Sequence, residues 1–156
     1  MRRPRRGGFG VGRGGFGGGG GNRPDPREMA RLRESVQEAI RDLLAAPRRM
    51  RIVSSTGEIG LTYDDGRVVR LIPDDREHAG LAGSSMQVRR RTRWDGDRLV
   101  TEIELETRFP FRLEQAYEVR TDGGVARQLV VTSRVEGGRG GDGDGEFRRV
   151  YDREER

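Results

Sequence analysis

The chain has 156 residues, enough for one domain, and is polar for a globular sequence, with 31% hydrophobic and 37% charged residues. It contains no cysteine, which excludes disulfides, thiolate metal sites and thiol catalysis, and all 31 of its basic residues are arginine. Its net charge of +5 is unevenly placed: the first 24 residues carry six arginines and no acid, while the other 25 arginines meet all 26 acids and leave −1.

The uniform use of arginine is the signature expected of a GC-rich genome. No run approaches the length of a membrane span, and the basic start is not followed by the apolar stretch of a signal peptide.

Residues 1–24 are low-complexity glycine and arginine with Phe9 and Phe16 set among them. Glycine at this density does not offset its ordering entropy, so a disordered arm is expected. One reading is a flexible spacer. The other is an RGG-like arm in which Arg2, Arg3, Arg5, Arg6 and Arg13 meet phosphates and Phe9 and Phe16 stack on bases.

Residues 25–46 predict one amphipathic helix. Asp25 can cap it, Pro26 suits the first helical position, and Glu28 completes a capping-box-like pattern. Met29, Leu32, Val36, Ala39, Ile40, Leu43 and Leu44 form a single apolar stripe that ends before Pro47. Charges of both signs balance along it, so packing onto a following sheet is expected rather than binding to a membrane surface.

Residues 49–153 predict an antiparallel β-domain, because the apolar period changes to two and stays there. The expected strands are 50–54, 58–63, 67–72, 86–94, 98–106, 112–120, 126–135 and 146–152, separated by Gly- and Asp-rich turns. Residues 86–106 are the clearest part. Met86, Val88, Thr92 and Trp94 share one face, and Gln87, Arg89, Arg91 and Arg93 share the other. If Gly96 and Asp97 are the central turn residues, Arg91 falls opposite Glu102 and Arg89 opposite Glu104, so charge and register agree.

No catalytic set emerges. The sole histidine, His78, falls in a segment read as a loop, and Ser84 and Ser85 have no patterned partner beyond it. The carboxylates alternate on strand faces opposite arginines, as a solvated ladder would. Residues 137–147 begin like a Gly-Gly-x-Gly-x-Asp calcium repeat. Asp144, however, stands where that repeat has an aliphatic residue, and the motif occurs once. As an EF-hand loop it also fails, since Arg153 holds the twelfth position from Asp142. A hairpin loop is expected there, with no metal and no cofactor.

Two resemblances add expectations. The succession WDGDRLV at 94–100, YEVR at 117–120, QLVVT at 128–132 and RVYD at 149–152 resembles the C-terminal strands of the fatty-acid-binding proteins, lipid-binding barrels of the calycin (lipocalin-like) group. In that family the closing strand carries an inward Arg-x-Tyr pair that holds a ligand carboxylate; Arg149 and Tyr151 match it here. The helical lid that the family inserts after its first strand is missing. The whole layout, a Gly/Arg-rich head, a capped helix and a meander ending in RVYDR, also resembles uncharacterised exported proteins of GC-rich bacteria, which implies an envelope or periplasmic setting.

The expectation is therefore a mainly β protein: an antiparallel up-and-down meander or small barrel of about eight strands, preceded by one helix and a Gly/Arg-rich arm. Its expected role is non-catalytic, binding a small amphipathic or anionic ligand, or a partner protein. The alternative is nucleic-acid association through the arm.

Overall fold

A computed structural model of the chain describes residues 24–137 and 145–154. The arginines and phenylalanines of the arm and the core of the calcium-like run, on which two of the expectations above rest, lie outside them. One helix, α1 (Pro26–Leu44), is followed by nine strands: β1 (Met50–Ser55), β2 (Glu58–Tyr63), β3 (Val68–Leu71), β4 (Glu77–Ala82), β5 (Met86–Asp95), β6 (Arg98–Leu105), β7 (Arg112–Asp122), β8 (Val125–Glu136) and β9 (Gly145–Asp152).

The helix starts and stops where its chemistry asks. The Asp25 carboxylate accepts from the Arg27 N–H at 2.9 Å, Pro26 occupies the first turn, and the chain is extended again at Ala45. Its stripe buries Val36 and Ala39 fully and packs Leu32, Ile40, Leu43 and Leu44 against the sheet around β4 and β5. No described helix is long and apolar enough to cross a membrane.

The strands form two antiparallel sheets, β1-β2-β3 and β4-β5-β6-β7-β8-β9, each an up-and-down meander. The meander is thus present but the barrel is not. Closing these strands into a barrel needs them in one continuous sheet. Here the chain leaves β3 through Ile72 and Pro73, which has no N–H to donate, and turns at Asp75 in the left-handed region (φ +60°). That turn starts a second sheet instead of extending the first.

The strand missing from the expected eight is β4, which carries His78 in the segment read as a loop. Its sequence EHAGLA has no β-branched residue and a central glycine, so its strand character comes from pairing with β5 rather than from propensity.

Between β5 and β6 the register is the one that the charges specified. Asp95 pairs with Arg98 around Gly96 and Asp97, placing Arg91 opposite Glu102 and Arg89 opposite Glu104. Gly96 has a φ of +60°, which a residue with a Cβ adopts only under strain.

The outer face of the large sheet carries this charge ladder in solvent. Its inner face is covered twice. At one end α1 lies over Val88, Ile103, Leu105, Leu113 and Val135. At the other the small sheet brings Ile59, Leu61 and Leu71 onto Leu99, Tyr117 and Val131. Each fully buried aliphatic side chain contributes about 1.5–3 kcal/mol, so both caps are held mainly by apolar burial.

Candidate functional site

Between the two apolar clusters the inner face turns polar. Along one row of the register Thr92, Thr101, Gln115 and Ser133 stand side by side on β5, β6, β7 and β8. They satisfy one another. Thr92 donates to Thr101 Oγ1 at 2.9 Å, Gln115 Nε2 donates to Ser133 Oγ at 3.4 Å, and the Tyr117 hydroxyl donates to Gln115 Oε1 at 3.3 Å. Buried hydroxyls and amides paired in this way avoid the cost of about 1–3 kcal/mol that each would otherwise carry.

Two residues from Thr92 on the same face is Arg90, opposite Ile103 of β6 and His78 of β4. It opens into a cleft of about 510 Å³ bounded by the large sheet, the small sheet and the C-terminal turn of α1. Tyr63, Arg67, Val69 and Leu71 come from the small-sheet side, Leu43 from the helix, and Thr101, Ile103, Gln115 and Tyr117 from the sheet floor. Gly80 of β4 lies against Val88 and beside the guanidinium: a Cβ there would lie a tight 3.3 Å from Val88 Cγ2 and an ordinary 3.8 Å from Arg90 Nη1. A volume of this order is typical of small-ligand sites, and the lining here is mixed, polar and apolar in about equal measure.

The charges around the cleft are settled except one. Arg67 is held by the Asp42 carboxylate and main-chain carbonyl and by Asp65 Oδ2 at 2.7 Å, with its guanidinium 5.2 Å from the Tyr63 ring centre. The same Asp42 accepts the Gly83 N–H at 3.1 Å, tying helix, small sheet and the β4–β5 turn together. Arg90 has no such partner: its Nε is buried with no hydrogen bond. Burial pushes its pKa below the usual arginine value, against Tyr117, Tyr63 and Asp42, and Asp42 is the only carboxylate among the described residues to act on it. An arginine so placed remains charged, because its reference pKa is far above neutrality. Burial raises the pKa of both Tyr63 and Tyr117, so both hydroxyls stay protonated, and that of Tyr117 is already given to Gln115.

Arg149 and Tyr151 do lie on the inner face, opposite Val131 and Leu129. They stand on the edge strand β9, however, and Arg149 is exposed, its guanidinium 5.8 Å from the centre of the Phe147 ring. The recess they share with Tyr63, Gln115 and Tyr117 holds about 30 Å³, the volume of one water molecule. It adjoins the large cleft and is too small to be a ligand site by itself. His78 bonds Asp74 at 2.9 Å, whereas Ser84 donates to Glu38 of the helix at 3.0 Å, so serine and histidine are engaged separately.

The residues that converge, Arg90, Tyr63, Tyr117 and Gly80, were not singled out from the sequence. The available signal was parity: Arg90 falls on the apolar face of its strand, two positions from Val88 and two from Thr92.

Comparison with protein-family models, with curated proteins and with solved structures finds no match to this chain.

Proposed function

We propose that this protein is a non-catalytic binding module that holds a small amphipathic or anionic ligand in the cleft between its two sheets. The observation that carries this reading is the cleft itself, about 510 Å³ and lined by both apolar and polar side chains. The resemblance to exported proteins of GC-rich bacteria suggests an envelope setting for it. Gly80→Leu fills the space beneath β4 without needing an unusual backbone conformation, because Gly80 is not among the glycines with positive φ. Binding of a fluorescent fatty acid to the wild type, weakened at least tenfold by Gly80→Leu while the fold is retained, would support the cleft. No binding by the wild type, or equal binding by the variant, would overturn it.

A second reading rests on the separation of charge, +6 in the first 24 residues against −1 in the rest. Affinity for RNA or DNA through the arm should fall steeply with salt and disappear when residues 1–24 are deleted. Retained binding by residues 25–156 would contradict the arm reading.

A further inference from the structure

We infer that Arg90 is the anchor of the cleft and that its ligand is an organic monoanion, a carboxylate carried on a compact apolar body. The inference rests on the cleft reading above and names the chemistry the cleft selects.

It follows first from a charge count at the lining. Asp42 is consumed by Arg67 and by the Gly83 N–H, and Arg70, at the mouth, lies 3.5 Å from Glu58. Arg90 is the remaining cation of the lining, with a buried Nε that bonds to nothing. Arg90 is half-buried, and a desolvated donor that makes no hydrogen bond is costly. One anion completes the site, and a dianion would leave a charge of its own unmatched.

The second argument is geometric. A guanidinium presents a planar fork of donors that suits the two oxygens of a carboxylate. Tyr63 lines the same cleft with a protonated hydroxyl, which favours an acceptor group in the ligand. The remaining wall is apolar: Val69 and Leu71 from the small sheet, Ile103 from the floor and Leu43 from the helix. At about 30 Å³ per water molecule the cleft displaces roughly 17 waters, which suits a body of roughly ten to fifteen non-hydrogen atoms.

The site differs from the Arg149–Tyr151 pair in a way that can be tested. Arg149 is exposed on an edge strand and lies over an aromatic ring, so solvent already compensates it. Arg90 has neither solvent nor partner at its Nε.

The test compares three probes of nearly equal size, 4-phenylbutyrate, 4-phenylbutyramide and 4-phenylbutylamine, by isothermal titration of the full chain. The wild type should bind the carboxylate at least tenfold more tightly than the amide, and the amine least of all. Arg90→Gln should remove the preference by weakening the carboxylate at least tenfold while leaving the amide within about twofold. Arg149→Gln should leave all three nearly unchanged.

Equal binding of carboxylate and amide by the wild type would overturn the anion assignment while the cleft reading stood. Loss of the preference in Arg149→Gln but not in Arg90→Gln would overturn Arg90 as anchor. Absence of binding by all three probes would overturn the assignment too. The fluorescent fatty acid and Gly80→Leu then show separately whether the cleft binds anything. The wild-type comparison needs no variant, so the inference stays exposed to failure even if Arg90→Gln does not fold.

Discussion

The two faces of β5 carry the same residue type in opposite circumstances. On the outer face Arg89 donates to Glu104 at 3.0 Å, Arg91 to Asp75 at 2.8 Å and Arg93 to Glu102 at 2.8 Å. On the inner face, between the residues that carry Arg89 and Arg91, Arg90 faces a cleft with no carboxylate of its own. In water a missing partner is a small matter, since exposed ion pairs contribute about 0–1 kcal/mol. At the half-buried Arg90 it is a larger matter, because the buried Nε has lost its hydration without gaining a hydrogen bond. An inner arginine without a partner is therefore informative about function where an outer one would be ordinary.

The contrast can be broken most severely by attacking what makes the inner face dry. Leu113 lies at the centre of the face under α1 and is 0% exposed. Leu113→Ala should cost about 2–5 kcal/mol in chemical denaturation, the range for deleting a fully buried leucine side chain. A loss below about 1 kcal/mol would mean that the helix does not seal that end of the sheet.

The outer face should respond far less. Arg93→Ala should change stability by no more than about 1 kcal/mol, and the change should shrink as salt rises. The acids of this ladder also set its pH response. The hydrogen bond from Arg112 holds the Glu104 carboxyl below its usual value, and the bond from Arg91 does the same for Asp75. A carboxylate with a depressed folded-state pKa lends stability above its unfolded value, and that stability is lost as pH falls through the folded one. Thermal stability should thus be flat from pH 7 to about 5 and fall below about pH 4, where free carboxyls begin to protonate. A decline that begins near pH 6 would show that the ladder is not its source.

Much of this arrangement is legible in the sequence because it depends on near neighbours. Asp25, Pro26 and the 3.6-residue stripe from Met29 to Leu44 define the helix locally. The charges on Arg89, Arg91, Glu102 and Glu104 agree with the turn at Gly96-Asp97, so one register satisfies both. The strand β4 was hidden because Ala79, Gly80 and Ala82 carry no β-forming signature; only the neighbouring β5 makes them a strand. The closed barrel fails for a similar reason, as the turn at Pro73–Asp75 separates two sheets and strand count alone does not reveal it. The cleft is the least legible feature. It exists because the small sheet folds over the large one at long sequence separation, bringing Tyr63 and Arg67 near Arg90 and Tyr117. Parity alone marked Arg90, whereas the resemblance to the Arg-x-Tyr pair placed Arg149 and Tyr151 inward without showing that β9 would be an edge.

That the Nε of Arg90 lacks a partner within the fold is tested most directly by the urea stability of Arg90→Met. Methionine keeps a long apolar stem in the space beneath Gly80 and removes only the charged end. Stability equal to or above that of the wild type is expected, because methionine removes a half-buried guanidinium whose Nε has no hydrogen bond and keeps an apolar stem of similar length. A loss of about 2 kcal/mol or more would contradict it, showing that Arg90 already has its partner within the fold and is a structural residue rather than one held ready for a ligand.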